Sequence, residues 1–357
     1  MRQRSYSYLI AVVRIIMMMI IVACHFMQFY NKGTYNYYNI FGIASVMMFT
    51  IISGYLYGGR DIKNPFKFVF KNCLKILLPY YLYLIPVIGL YAIFSPGYLS
   101  RTTVIQSLFL AGEISGLGHF WYIRLIILCY LFTPLLYYLT KLLNKVKFKF
   151  PVIFLLLELP IVFMVVALKL NISLSEAFYY SLYIIGYVMG FLVNTLDIKK
   201  SRLMYGFGIF GILAIPSIII FQISFITSGK ITSTLNDYSP VDFPFNYTLI
   251  LMSLTMVMVV GLFAIIVCMS DKADKGDYLG MKNFIKTASD YTFPLFIVHH
   301  LFIMGPNPFN VADMIPVMGI RVALILSLIT AIILKAVTDL VMSVFKKIGK
   351  KKELVKI

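Results

Sequence analysis

The sequence predicts an all-α membrane protein, a polytopic bundle of about ten transmembrane helices with both termini in the cytoplasm. Two observations support this fold class. Hydrophobic residues make up 61% of the 357-residue chain and charged residues only 13%, whereas soluble domains are typically about 45–50% apolar and about 25% charged. The apolar residues also fall in runs long enough to cross a bilayer. This composition excludes an ordinary soluble domain, a disordered chain and a fibrous protein.

Each expected span is an apolar run, since a membrane helix needs about 20 mostly apolar residues. The first run carries Arg14 and His25 and is long enough to be a retained helix rather than a cleaved signal peptide. The ninth run is short and the tenth is long. No soluble domain fits between the runs, so residues 1–357 are expected to form a single transmembrane domain. The expected spans are 8–30, 39–57, 76–94, 119–139, 151–168, 177–195, 204–223, 247–269, 291–305 and 317–345.

The basic residues that give the chain its net charge of +18 are divided unequally between the connections on the two sides of the membrane. One set comprises the N-terminus, the later segment from Lys346, and the connections 58–75, 140–150, 196–203 and 270–290, and it holds most of the basic residues. The other set holds only Lys32, Arg101, Lys169 and Lys230. By the positive-inside rule the basic side is cytoplasmic. The charge therefore predicts orientation and contact with anionic membrane lipids, and nucleic acid is not an expected partner.

Ionisable side chains inside the spans are costly and therefore mark candidate functional positions. Arg14 and His25 are eleven residues apart on the first helix, about three turns, so they share one face about 16 Å apart along the axis. Such a stripe indicates a protein interior or cavity. Interhelical hydrogen bonding that stabilises the bundle is the structural alternative.

The other membrane histidines and arginines are expected in the extracytoplasmic half. His119 is expected at the outer surface, where the fourth helix begins after an outer loop at 95–118. Arg124 and Arg321 are expected about a turn below, and His299 and His300 in the outer half of the ninth helix. A neutral histidine can relay a proton, and an arginine can hold an anion or an oxyanion. These residues predict a polar vestibule open to the outside.

Two further patterns predict packing rather than chemistry. Gly186 and Gly190 form a G-x-x-x-G spacing, which favours close contact between membrane helices. The 26 tyrosines and 30 phenylalanines are expected to lie largely in interfacial belts. Sequence motifs of ATP-driven transport, dinucleotide binding, zinc proteolysis and serine hydrolysis do not occur in the chain.

Five segments together resemble the acyltransferase-3 family of integral membrane acyltransferases, and they occur in that family's order over almost the whole chain. Each motif is weak when taken singly, whereas the ordered set is fairly specific. They are Arg14-x10-His25, Phe49-Thr-Ile-Ile-Ser53-Gly54-Tyr55, Lys71-Asn-Cys-Leu-Lys75 before Pro79-Tyr80, His119-Phe-Trp121-Tyr122, and Ser289-Asp-Tyr291 through Phe296-Ile-Val-His299.

The resemblance implies an O-acyltransferase of a bacterial cytoplasmic membrane. Acetyl-CoA or succinyl-CoA would be the acyl donor, no metal would be needed, and the acceptor would be a hydroxyl of a polysaccharide or lipid-linked glycan. His25 would be the catalytic base, and Arg14 would help to hold the donor. Lys71 and Lys75 would meet the CoA phosphates at the inner face. The family often has an arginine where this chain has Asn72, and a tyrosine where it has Phe296.

The resemblance also gives the vestibule and the partners their expected roles. The residues expected to line the substrate vestibule are His119, Trp121, Arg124, His299 and Arg321. Other envelope polysaccharide synthesis proteins are expected partners. Arg124 and Arg321 suit a succinyl carboxylate and a lipid-linked pyrophosphate equally well. A polysaccharide exporter or flippase is the main alternative function, and a ligand-binding or sensory membrane module is a third.

Overall fold

The computed structural model describes residues 7–30, 39–143, 158–162, 164–166, 169, 173–196, 202–227, 245–275, 279–315 and 318–354. Within these ranges all regular secondary structure is helical. Eight of the helices there are long and apolar enough to cross a membrane. The prediction of an all-α polytopic membrane protein is therefore confirmed.

Twelve α-helices are assigned within the described ranges, and their bounds follow most of the expected spans. The expected span 151–168 lies mostly outside the described residues. The span expected at 291–305 is a helix of 13 residues, and the one expected at 76–94 begins earlier, at Pro65. The helices are α1 Tyr8–Tyr30, α2 Asn39–Tyr57, α3 Pro65–Phe94, α4 Arg101–Leu108, α5 Trp121–Leu143, α6 Leu174–Leu196, α7 Arg202–Thr227, α8 Phe245–Lys275, α9 Leu279–Asp290, α10 Thr292–Met304, α11 Val311–Met314 and α12 Gly319–Leu354.

The first of two compact units comprises Met1–Val69 and Leu128–Lys286. In this unit α1, α2, α6 and α8 pack on one another, and α7 packs along α8. Gly186 and Gly190 of α6 face Gly54 of α2 and Gly58 just after it so closely that a Cβ at any of the four would collide with the opposite backbone. The close packing predicted from the G-x-x-x-G spacing is confirmed, and the opposite segment contributes a matching pair of glycines at the end of α2.

The second unit comprises Phe70–Ile127 and Thr287–Ile357. Its centre is α10, where every residue from Thr292 to Met304 except Phe293, Phe302 and Met304 is buried. Helix α10 packs on α12 and on a 3-10 turn at Gly118–Phe120. The Tyr83 hydroxyl of α3 donates to the Val298 carbonyl of α10 at 3.3 Å. The second unit is thus organised around the helix that carries two of the four histidines.

The connection after α3 differs from the expected outer loop, because it folds back along that helix. Near the end of α3, the Ser95 hydroxyl donates to the Asn307 carbonyl at 2.5 Å. From there α4 runs back until the Tyr80 hydroxyl donates to the Ser107 carbonyl at 2.7 Å and the Tyr81 hydroxyl to the Leu108 carbonyl at 2.8 Å. Tyr80 lies at the midpoint of α3, fourteen residues before Phe94 and so about 21 Å along the helix axis. We call residues 95–120 the re-entrant segment.

The re-entrant segment places His119 and Arg124 beside the middle of α3, whereas the expected outer loop would put them beyond the Phe94 end of that helix. Phe120, which follows His119, packs edge-to-face against Tyr80 with ring centroids 5.0 Å apart, and against Tyr83 at 6.4 Å. The start of α5 therefore lies beside the middle of α3 and not at its Phe94 end. Hydropathy missed this arrangement because α4 is short and has little apolar character.

Candidate functional site

Helix α1 carries Arg14 and His25, both partly buried, on one face. The His25 ring places Nδ1 3.2 Å from the side-chain oxygen of Gln28, one turn further along the helix. Because an amide oxygen only accepts hydrogen bonds, Nδ1 carries the proton in this contact. The lone pair of the neutral imidazole is then on Nε2, the arrangement that a general base requires.

The second unit holds the other three histidines as one buried cluster. His299 is fully buried, and His119 and His300 are 4% and 7% exposed. The His119 ring stacks on His300 with centroids 4.6 Å apart and lies 5.1 Å from His299. The sequence placed these residues in the same half of the membrane, and the structure brings them into ring contact. His300, which is not among the residues expected to line the vestibule, belongs to this histidine cluster.

Backbone carbonyls fix how each ring of the cluster is protonated. The His119 Nε2 lies 3.1 Å from the Ile297 carbonyl, and the His300 Nδ1 lies 2.7 Å from the Gly116 carbonyl. The His299 Nδ1 contacts the Leu295 and Phe296 carbonyls at 3.0 and 2.8 Å. Since a carbonyl only accepts, each of these nitrogens carries a proton. The cluster therefore ties α10 to the re-entrant segment, in addition to any chemistry it performs.

A small pocket opens beside the histidine cluster, within the second unit. The Tyr80 ring of α3 and the Phe120 ring form part of its wall, and both are buried. Trp121 and Arg124 of α5 are one turn apart and partly buried, and Glu113 of the re-entrant segment is exposed. The complete lining is Tyr80, Leu110, Gly112, Glu113, Phe120, Trp121 and Arg124. We call this the Glu113 pocket.

The rim of the Glu113 pocket is a tight turn that ends α4. The Ala111 N–H donates to the Gln106 carbonyl at 2.7 Å and the Leu110 N–H to the Ser107 carbonyl at 3.1 Å. This is the Schellman arrangement, in which the residue after the C-cap adopts a left-handed conformation and is usually glycine. Here that residue is Leu110, with φ of 58°. A leucine held in this conformation costs about 1–2 kcal/mol, and such strain often occurs at functional sites.

Sequence reasoning missed Glu113 as a candidate. The residue lies in a segment that was expected to be an exposed outer loop, where a carboxylate carries no functional signal. Its proximity to Arg124 depends on the fold of the re-entrant segment, and no local spacing reveals it. The available signal was scarcity, since the chain has only 14 acidic residues.

The lysines expected to meet CoA lie on another face of α3. Lys71 and Lys75 are one turn apart and exposed, while Asn72 between them is buried. Lys71 precedes Tyr80 by nine residues, about two and a half turns, so the two side chains leave the helix on opposite sides. The lysine pair therefore does not line the Glu113 pocket.

The structure brings together only part of the expected vestibule. His119 and His299 are in the histidine cluster, and Trp121 and Arg124 are in the Glu113 pocket. Arg321 is exposed on α12, where its guanidinium contacts the Met318 sulfur at 3.8 Å. Among the residues that the structure describes, no group of three His, Cys, Asp or Glu side chains is arranged to hold a metal ion.

Comparisons with known proteins give one match. A family model described as an acyltransferase domain matches residues 8–336, which includes both α1 and the histidine cluster. The comparisons with curated proteins and with solved structures give no match.

Proposed function

Because the chain belongs to the acyltransferase-3 family of membrane acyltransferases, we propose that it moves an acetyl or succinyl group from cytoplasmic acyl-CoA to a hydroxyl of an envelope polysaccharide or its lipid-linked precursor. The observation that supports this most is the Arg14–His25 stripe on α1, inside the matched region. The proposal places the protein in a bacterial cytoplasmic membrane, with anionic lipids and other polysaccharide synthesis proteins as partners.

His25 is the general base in this proposal. Its Nε2 accepts the proton of the acceptor hydroxyl while the hydroxyl oxygen attacks the thioester carbonyl carbon. The carbon–sulfur bond then breaks, the acyl group remains on the acceptor oxygen, and the CoA sulfur takes the proton from the imidazolium. The thioester is already activated, so neither a metal nor a covalent nucleophile is needed. The contact with Gln28 keeps the Nδ1 proton in place and so keeps the basic nitrogen at Nε2.

Arginine and lysine side chains serve the donor in this proposal. Arg14 shares a helix face with His25 and holds the donor along the same stripe. Lys71 and Lys75 are exposed and one turn apart, which suits two point charges that meet the phosphates of CoA. Their position on the face of α3 opposite Tyr80 keeps this phosphate contact separate from the Glu113 pocket.

The proposal is tested by replacing His25 and measuring ester-linked acyl groups on the envelope glycan. We expect His25→Ala to lower acyl transfer by about 10²–10⁴-fold, the usual contribution of a general base, with the protein still present in the membrane. Met27→Ala is the matched control, because Met27 is an exposed residue of the same helix. Unchanged acylation in the His25 variant would refute the mechanism. Deletion that removes the surface polymer itself, rather than its ester groups, would indicate an exporter.

A further inference from the structure

Helix α9, Leu279–Asp290, is a short amphipathic helix that follows α8 in the chain. Its 12 residues are too few to cross a bilayer, because a span needs about 20. With 3.6 residues per turn, Met281 and Phe284 lie on one face of this helix. Asn283 and Lys286 lie on the opposite face. One apolar and one polar face are typical of a helix at the boundary between apolar and aqueous surroundings.

The apolar residues of this helix are exposed at the surface of the protein. Phe284 is 70% exposed and Met281 is 55% exposed, and α9 up to Lys286 belongs to the first unit. We call Met281 and Phe284 the α9 apolar face. On a membrane protein such a face is covered either by lipid or by another protein, and the depth of α9 decides between the two.

Contacts with α1 and α8 fix the position at which α9 begins. The Tyr8 N–H at the start of α1 donates to the Asp274 carboxylate at 2.8 Å. The Lys282 ammonium donates to the Asp274 carbonyl at 2.7 Å. The Tyr8 hydroxyl also donates to the Met281 sulfur at 3.2 Å. The first turn of α9 is therefore held beside the start of α1 and the end of α8.

These two helix ends mark the boundary of the membrane in the first unit. Tyr8 is the first residue of the apolar span of α1, and Ser270 is the last residue of the apolar span of α8. Asp274 follows Ser270 by one turn, about 6 Å along the axis. Phe284 follows Met281 by three residues, so it lies within about 5 Å of that level along the helix axis. Amphipathic helices at this depth bury their apolar face about 5–10 Å into the boundary between head groups and acyl chains.

The polar side of α9 suits phospholipid head groups. Lys286 is exposed there, and a lysine at a membrane surface can extend its ammonium group to lipid phosphates. Asn283 is exposed on the same side and can stay hydrated. A soluble protein that covered Phe284 would have to displace lipid from a face at membrane depth, so phospholipid is the occupant that this position favours.

We propose that α9 lies in the cytoplasmic surface of the membrane, with Met281 and Phe284 inserted among the upper acyl chains of the inner leaflet and Lys286 among the head-group phosphates. This inference goes beyond the proposed function and does not depend on it, because none of its residues takes part in acyl transfer. It gives the connection 270–290 the role of a membrane-surface anchor for the ends of α1 and α8.

The depth of Phe284 is measured by quenching the fluorescence of a tryptophan placed there. Trp121 is the only tryptophan in the chain, so Phe284→Trp in a Trp121→Phe background reports from α9 by itself. The full-length protein is reconstituted in phosphatidylcholine–phosphatidylglycerol nanodiscs. Its emission is compared with and without lipids brominated near the head-group end of the acyl chain, and separately with iodide in the buffer. We expect the brominated lipids to remove most of the emission and iodide to remove little.

Asn283→Trp in the same background is the matched control, because the neighbouring residue lies on the polar face of the same helix. We expect the opposite pattern for this control, with strong quenching by iodide and weak quenching by the brominated lipids. Met281→Trp should repeat the result of Phe284→Trp, and it decides the question if Phe284→Trp does not fold.

Two results would overturn the inference. If iodide quenches Phe284→Trp as strongly as Asn283→Trp, the apolar face lies in water. If neither reagent quenches Phe284→Trp, the face is covered by protein, such as a second copy of this chain. Neither result bears on the His25 mechanism, which is judged by acylation of the glycan.

Discussion

The contact between α2 and α6 predicts a large effect from adding a single methyl group. In Gly186→Ala the new Cβ would collide with the backbone carbonyl of Ile51 on α2. A flexible side chain can move aside, but the backbone of a helix cannot, so the two helices must separate. At the same interface Gly190 lies directly against the backbone of α2, and Gly54 and Gly58 lie directly against the backbone of α6. The separation therefore loosens all four contacts.

The expected magnitude follows from this geometry. Overpacking a well-packed interface costs about 1–3 kcal/mol, and the rigid backbone partner at Gly186 places the cost within that range rather than below it. For domains of 150–250 residues each kcal/mol lowers the melting temperature by about 2–4 °C. We therefore expect Gly186→Ala to melt about 2–12 °C below the wild-type protein.

The exposure of a buried cysteine on heating measures this loss of stability for the protein in detergent micelles. Cys129 is a free cysteine with 3% exposure, so a thiol-reactive fluorescent dye reports unfolding as the temperature rises. Gly206→Ala is the matched control, since a Cβ at this helical glycine of α7 has nothing within 4 Å. There, alanine is expected to be neutral or to stabilise by up to about 1 kcal/mol. A Gly186→Ala protein that melts at or above the wild-type temperature would refute the packing argument.

Two further substitutions test the Glu113 pocket rim and the donor site. Leu110→Gly removes a left-handed leucine that costs about 1–2 kcal/mol, so we expect an unchanged or higher melting temperature in the same dye assay, and a clear decrease would contradict the strain argument. Replacing Lys71 and Lys75 together by glutamine should raise the KM for acyl-CoA, and it should also flatten the dependence of that KM on salt, because salt screens exposed charges. An unchanged salt dependence in steady-state kinetics would remove these lysines from the donor site.

The sequence predicted the spans well, because hydropathy over some twenty residues depends on composition and needs no tertiary information. It also predicted the close packing at Gly186 and Gly190, since small residues four apart act through one helix face. The matching pair at Gly54 and Gly58 was not predicted, because Gly54 lies in the segment that resembles a family motif and Gly58 follows the expected span 39–57. A residue can serve both purposes, and only the structure shows the packing role.

The sequence could not predict the re-entrant segment or the contacts that its residues make with α3 and α10. Hydropathy treats a short, weakly apolar helix as a loop, and so 95–118 was expected outside the membrane. Its true course depends on contacts with α3 and α10, which are distant in the sequence. For the same reason the sequence placed His119 and His299 in the same membrane half, but their ring contact required the fold of α10 against the 3-10 turn.

The tyrosines of α3 show what makes the re-entrant segment possible. Backbone that leaves a helix within a membrane must have its carbonyls bonded by protein. Tyr80 and Tyr91 donate to the Ser107 and Ser115 carbonyls of the re-entrant segment, and Tyr83 donates to the Val298 carbonyl of α10. The three tyrosines are spaced by three and eight residues, so they lie on one face of α3. All three are buried inside the protein. A one-sided row of buried tyrosines within a long apolar helix is therefore itself a signal that the backbone of other segments packs against that helix.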